Sequence, residues 1–386
     1  MYKLLATSAL VAAGMWGMTE AASAQAKVAP ISVVVGGYHQ QSFGFTSNKK
    51  NVVGLPANPN GSLNYSDSEI WFGGRTTLSN GITVGFDVQL EGNTPGGAGG
   101  PATDVIDESY LFIDGAFGRV VIGSENTADY LMHYSIPGAG VAYGANESQV
   151  GDFILRPTAV TTLNTLSSGR TAGGGGTAMT WGTGNDQQRI TYFTPRMAGF
   201  QVGVSFTPNV DREDSVALTD KNAQRANALH GAVNFVNNLG GVQFNASAGM
   251  SYYPSIDGVV AGVGARDIKD YSVGAQVGAS GIMVGGGYRK VDIDGAAENG
   301  DAMGIGASYT SGPMSVGLSY LTSKVDGTAA AGNDKYKQIL FSAAYSIGPG
   351  VDLIGALFNA KYEDEGGAVA NENSGTGGAV GIHLRF

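Results

Sequence analysis

The chain contains no cysteine, so neither a disulfide nor a thiolate metal site can hold it together. It has only 12 prolines, and only 14% of its 386 residues are charged. Its histidines, His39, His133, His230 and His383, stand singly, with no His-Glu-x-x-His or Gly-x-Ser-x-Gly pattern beside them. The glycines 173 to 176 lack the Lys-Ser or Lys-Thr that completes a phosphate loop. Beyond the first residues no apolar run approaches the roughly twenty residues that a helix needs to cross a bilayer. Basic residues are also scarce, 22 against 32 acidic ones, for a formal net charge of −10. That balance argues against nucleic acid or an anionic lipid surface as a partner, since both demand clustered Lys and Arg.

Glycine, in contrast, is abundant, with 62 residues beside a hydrophobic fraction of 42%. Glycine at this density breaks helices, while the apolar content is too high for a disordered linker. A mostly β protein remains. Its first residues read as an export signal: Lys3, the apolar run Leu4 to Val11, then Ala22-Ser23-Ala24 as a cleavage site before Gln25. The expected organisation is a signal peptide over 1–24 and one domain over 25–386.

From Ser68 onward apolar and polar residues alternate with a period of two, as successive side chains of a strand do. Ile82, Val84, Phe86, Val88 and Leu90 share one face, and Thr83, Asp87, Gln89 and Glu91 the other, after an Asn80-Gly81 pair suited to a hairpin turn. The pattern recurs through Phe200, Val202 and Val204, through Met303 and Ile305, and through Met314, Val316 and Leu318, to about sixteen segments. Short turns such as Ser280-Gly281 and Ser311-Gly312 alternate with long polar segments, the longest being Ser124 to Asp186. Short turns on one rim and long loops on the other are the layout of a membrane-spanning antiparallel β-barrel. Sixteen strands of about ten residues would use roughly 160 residues and leave enough for eight loops. A soluble solenoid would need a fixed short repeat, which is missing, and a soluble sandwich is rarely this long without a second domain. Aromatic residues gather at strand ends: Phe200, Tyr309, Tyr345 and Phe386 toward the short turns, and Phe206, Tyr271, Tyr320, Tyr336 and Tyr362 toward the long loops, where bilayer headgroups would lie.

The last strand carries Val380, Ile382, Leu384 and Phe386 on one face and ends on an aromatic residue. It resembles the terminal strand of outer-membrane proteins, which the barrel-assembly machinery recognises. The segments Gln188 to Pro195 (QRITYFTP), Gly199 to Pro208 (GFQVGVSFTP) and Ala116 to Gly123 (AFGRVVIG) resemble the general porins of Gram-negative bacteria. That resemblance implies a trimer in the outer membrane, in contact with membrane lipid and lipopolysaccharide. It also implies passive permeation of ions and small hydrophilic solutes, with the third loop, 124–186, folded into the lumen as a constriction. This third loop is unusually long for the family.

A pore selects by its width and by fixed charge on its wall. Alternation turns Arg75, Arg119, Arg189, Arg289 and Arg385 inward, and Arg75, Arg119 and Arg189, on the second, fifth and sixth strands, are candidates for a basic wall. Glu125, Asp129, Glu147 and Asp152 on the long loop are candidates for an acidic side facing it. Asp87, Glu91 and Glu108 enter as alternative partners for the arginines. Overall acidity suggests a mild cation preference. No cofactor is expected, although the acidic runs Asp211 to Asp214 and Glu363 to Glu365 could hold calcium or bridge lipopolysaccharide through divalent ions. A substrate-selective porin, and an outer-membrane enzyme or adhesin, are the competing readings; His230 on an inward face is the one enzymatic candidate, with lumen solvation as its simpler role.

Overall fold

The computed structural model describes residues 31–93, 106–137, 149–160, 186–210, 218, 220–222, 224–259, 263–295, 299–326 and 332–386. The expected signal peptide lies outside the described residues. Sixteen strands form the wall: β1 Ser32–Thr46, β2 Ser62–Thr77, β3 Thr83–Asn93, β4 Ile106–Gly115, β5 Gly118–Glu125, β6 Gln187–Phe193, β7 Phe200–Asn209 and β8 Ala226–Leu239. They continue as β9 Val242–Tyr253, β10 Ile268–Ala279, β11 Ile282–Ile293, β12 Gly300–Ser311, β13 Met314–Asp326, β14 Asn333–Gly348, β15 Val351–Glu363 and β16 Asn373–Arg385. Two short helices, α1 Ala128–Leu131 and α2 Gln149–Phe153, interrupt the connection between β5 and β6.

Each strand pairs antiparallel with its sequence neighbours, and β1 pairs with β16 to close the ring. Closure leaves no sheet edge, so the backbone polar groups of the wall find partners within it, as hydrocarbon requires. At the seam the backbone of Phe386 exchanges hydrogen bonds with Gly37, N–H to O distances of 3.0 and 3.1 Å. The short turns follow from local chemistry: between β10 and β11, Ser280 and Gly281 both take positive φ, 50° and 83°, as the favoured two-residue hairpin requires.

The period of two sorts the side chains. Ile339, Phe341, Leu357, Val380, Ile382 and Leu384 are exposed on the outside, while Gln338, Leu340, Ala356, Phe358, Ala379 and His383 are buried inside. The interior is not uniformly polar. At the long-loop end of β9–β15, Tyr253, Ile268, Ile293, Val325, Tyr336 and Tyr362 form an apolar core with Ile136, Val150, Phe153 and Ile154 of the connection between β5 and β6. Tyr336 and Tyr362 therefore do not belong to the outer aromatic girdle expected from sequence. They share the inward phase of Gln338 and Ala360, with ring centroids 4.7 Å apart. The wall is lowest at β5 and β6, of 8 and 7 residues against 16 in β14, and the long third connection leaves from this low point.

Candidate functional site

The third connection enters the lumen and is held to the wall residue by residue. Its base is closed by the Ser124 hydroxyl, which donates to the carbonyl of Asp186. Thr127 caps α1, accepting from the Tyr130 N–H at 3.4 Å. The Ala128 N–H donates to Ser205 Oγ on β7 (2.9 Å), and Asn234 Nδ2 on β8 donates to the Met132 carbonyl (3.0 Å). The Tyr134 N–H donates to Ser247 Oγ on β9 (2.8 Å), and Gln276 Nε2 on β10 donates to the Ser135 carbonyl (2.9 Å). Ile136 then settles over Gly304 and Gly306 of β12, where a Cβ on either glycine would overlap its side chain.

The connection meets the wall again beyond α2. Thr46 Oγ1 and Asn48 Nδ2 both donate to the Phe153 carbonyl, at 3.0 and 2.8 Å, and Asn373 Nδ2 donates to the Leu155 carbonyl at 2.7 Å. The Phe153 ring packs against Tyr65 of β2 and Phe358 of β15, with centroids 6.4 and 5.1 Å away. The loop is thus pinned first along β7–β12 and again at β1, β2, β15 and β16. In a ring of sixteen, β2–β5 lies opposite β10–β13, and its strands carry Asp67, Glu69, Arg75, Asp87, Glu91, Glu108 and Arg119.

The five expected arginines have distinct surroundings. Arg75 is half-buried on the inner face of β2. Arg119 lies 3.6 Å from Asp114, its guanidinium 4.3 Å above the Phe112 ring. Arg289 is buried in a bidentate pair with Asp270 (2.6 to 3.1 Å), and Arg385 pairs with Asp352 at 2.6 Å. Arg189, 3% exposed, donates to the Gln187 carbonyl and feels Glu125, Asp129 and Asp186. Glu125 and Asp129 are also buried, so Arg189 and these two loop acids meet on one side of the lumen, beneath α1. Glu147 and the side chain of Asp152 lie outside the described residues.

Two loop groups have perturbed protonation. Burial raises the Asp129 carboxyl above its ordinary range, although Ser251 Oγ donates to it at 2.9 Å. His133 is buried, neither ring nitrogen has a hydrogen-bond partner, and burial together with the Arg289 charge pushes it down to about 3. His230 does not reach open lumen water. It is buried between Thr207 Oγ1 (3.1 Å) and Ser251 Oγ (2.8 Å) under α1.

On the inner faces of β2–β4 stands a group of acids that entered the sequence reading only as partners for arginine, or not at all. Tyr38 donates its hydroxyl to Glu69 (2.7 Å) and Asp67 (3.1 Å), and the Trp71 indole N–H lies 3.3 Å from Glu69 Oε2. Glu108 accepts from Gln89 and from Asn126 Nδ2 (2.6 Å), which ties the start of the loop to the wall. One carboxylate oxygen each from Glu69, Glu91 and Asp107 lie within 4.8 Å of one another. Alternation turns Glu69, Asp87 and Glu91 inward; Asp107 arrives through a register shift, as the extra residue where Gln89 pairs with Glu108 and Leu90 with Ile106. Asp334, Asp364 and Glu365 form a second such group at the rim, which includes part of the expected calcium run. The first residue of that run, Glu363, is instead held by Lys361 at 2.7 Å and Lys337 at 3.4 Å. The other run, Asp211 to Asp214, lies outside the described residues.

The sequence model of a family described as Gram-negative porin matches residues 6–365. No curated protein matches. Among solved structures, an anion-selective porin from Comamonas acidovorans is similar with a TM-score of 0.61 and 18% identity, covering 92% of this chain and 100% of that one. The outer membrane channel DcaP of Acinetobacter baumannii gives a TM-score of 0.58 at 13% identity, with 92% and 97% covered. OmpT of Vibrio cholerae in its trimer form gives 0.56 at 12%, with 92% and 99% covered.

Proposed function

Because this chain belongs to the Gram-negative porin family, it is an outer-membrane diffusion channel, and we propose that ions and small hydrophilic solutes pass it through a lumen that the third loop narrows toward the β2–β5 arc. The observation that carries this reading is the loop pinned on the inner wall from β7 to β12, which leaves the lumen open on the other side of the ring. Water and ions are left the side that carries charge, and apolar solutes would have to displace ordered water there.

The outer face of β1 and β2 supports a trimer. His39, Gln41 and Asn64 are exposed among the outward-facing residues, and Gln41 Nε2 donates to Asn64 Oδ1 and to the Tyr65 carbonyl, each at 2.9 Å. Lipid tails cannot satisfy such groups, whereas the wall of a second copy can. The solved Vibrio cholerae OmpT is described as a trimer. Phe386, 67% exposed at the end of the seam, suits recognition by the assembly machinery. Its deletion is expected to lower the yield of folded protein in outer membranes, read as loss of heat-modifiable mobility on gels.

An enzymatic reading has little support. Ser251, His230 and Asp129 do cluster, but the serine hydroxyl donates to the aspartate, the histidine lies 3.8 Å from that carboxylate, and all three are buried under α1, where no substrate carbonyl reaches. The test is conductance of the purified protein in a planar bilayer. Large, nearly ohmic steps in groups of three are expected. A protein that inserts as folded barrels and conducts nothing would sink the channel reading, and steps that are always single would sink the trimer.

A further inference from the structure

We propose that residues Gln149 to Leu155 of the third loop, which contain α2, are a clasp that holds the first and last strands together at the long-loop end, a task separate from narrowing the pore. Every other joint in the ring links strands that follow one another in sequence, so a turn or loop tethers them. The β1–β16 joint links the two ends of the chain and has no such tether. It is also short: β2 pairs with β1 from Ser32 to Phe45, whereas β16 reaches it only from Tyr38 to Thr46. Its β16 side carries Gly375, Gly377, Gly378 and Gly381, and its β1 side Gly44. Glycine leaves a ladder without side chains to pack and gives the unpaired strand more conformations to return to. Opening at this joint would present two sheet edges to hydrocarbon, where the freed N–H and C=O groups find no partner.

The loop supplies what this joint lacks. The buried Phe153 ring lies on Gly44 of β1 and the buried Ile154 side chain on Gly375 of β16, and a Cβ on either glycine would overlap it. The two glycines are thus sockets, one on each side of the joint, and adjacent loop residues fill both. With Phe358 and Tyr65 also against the Phe153 ring, the pair packs on β15, β16, β1 and β2. The polar contacts repeat the pattern. The Phe153 carbonyl accepts from Thr46 and Asn48 on the β1 side, and the Leu155 carbonyl from Asn373 on the β16 side. The Leu155 N–H donates to Asn48 Oδ1 at 3.0 Å. Asn373 Nδ2 donates to the same Asn48 Oδ1 at 2.8 Å, and Asn373 Oδ1 accepts from the Lys49 N–H at 3.0 Å, so the strand ends are also bonded to each other. Asn373 is fully buried, and a buried amide that loses such partners forfeits its desolvation.

The two anchors of the loop therefore have different consequences. Residues 128–136 lie along β7–β12, where each strand is tethered to the next and the wall stays closed whether or not the loop is seated. Residues 153–155 lie on the one joint held by its ladder alone. The run along β7–β12 is enough to narrow the lumen; reaching the seam takes further chain, which gives a physical reason for the length of this loop.

The experiment is thermal unfolding of the full-length porin in detergent, followed by loss of β-sheet circular dichroism, with and without a covalent lock on the seam. Phe153→Ala should lower the midpoint by several degrees and Phe153→Leu by less. The lock is a disulfide from Gln40→Cys and His383→Cys, buried inner-face residues directly opposed across β1 and β16, in a chain with no cysteine of its own. Gly37 and Phe386 exchange both hydrogen bonds, so Gln40 and His383, three positions along, form a pair without them, with Cα atoms about 4.5 Å apart and within disulfide reach. With the lock oxidised, the Phe153 variants should unfold at the midpoint of the locked parent, and reductant should bring their deficit back. Ile136→Ala, which empties the space over Gly304 and Gly306 away from the seam, should lose the same number of degrees locked or unlocked. If Phe153→Ala yields no folded barrel without the lock, Phe153→Leu carries the comparison. An unchanged midpoint in Phe153→Ala, or a Phe153 deficit equally large with the seam locked and open, overturns the clasp and returns these residues to the general core.

Discussion

Replacing Gly274 by valine is expected to unseat the third loop while the barrel remains folded. Gly274 lies on the inner face of β10 directly beneath the backbone of Tyr134, and a Cβ built there would overlap the Tyr134 carbonyl oxygen. A carbonyl cannot rotate away as a flexible side chain can, so the loop itself must lift. Lifting it breaks the Tyr134 N–H to Ser247 bond and the Gln276 to Ser135 bond and draws Ile136 away from Gly304 and Gly306. Overpacking of this kind costs about 1–3 kcal/mol, and on that scale the docked-to-undocked ratio falls by roughly 5–150-fold. The wall tolerates the change, because valine suits a strand better than glycine does. Single-channel recordings should show larger and noisier conductance. Gly231→Ala on the outer face of β8, where only the Gly203 carbonyl lies as near as 4.0 Å, should behave as wild type. Equal conductance and noise in Gly274→Val and wild type would show that residues 130–136 do not set the opening.

Acidification is expected to loosen the same loop through His133. When the loop is docked this ring is neutral down to about 3, held there by burial and by Arg289; released into water it returns to about 6.5. Between those values the undocked loop binds a proton that the docked loop refuses. Docking is therefore unaffected above pH 6.5 and weakens as the pH falls, by about 1.4 kcal/mol per unit. At pH 4.5 this reaches roughly 2.7 kcal/mol, or about 100-fold in the docked population. Asp129 works in the opposite direction: its raised carboxyl takes up a proton sooner in the docked state, so its own protonation favours docking as the pH falls. His133→Phe separates these contributions, because neither ring nitrogen has a hydrogen bond to lose. Wild-type channels should become noisier and more conductive on passing from about pH 7 to about pH 4.5, and the phenylalanine variant should not. A variant that responds to acid as wild type does would assign the effect to other groups.

Much of the architecture is legible in the sequence because a strand's two faces are a local property. Ile82 to Glu91 declares its inside and outside by alternation alone, Asn80-Gly81 and Ser280-Gly281 announce their hairpins, and the segment from Val380 to Phe386 shows an outward apolar face ending on an aromatic ring. The same alternation turns the five arginines inward and, in β14 and β15, places Tyr336 and Tyr362 in the inward phase as well, although their positions near strand ends suit a girdle.

What only the tertiary structure decided depends on register and on contacts between residues far apart in the chain. A single extra residue in β4 moves Asp107 to the Glu69–Glu91 pair, and no period of two can announce a bulge. Asn234 meets Met132 across 102 residues, and Asn373 meets Leu155 across 218, so the path of the third loop was invisible until the ring closed. Closure also brought Asp270 to Arg289 and Asp352 to Arg385. The sequence by itself determined a barrel of about sixteen strands with one long connection, because hydrophobic phase is written in each strand. Which charges face the solute was decided by the fold, because ion pairing and loop docking are properties of neighbours in space.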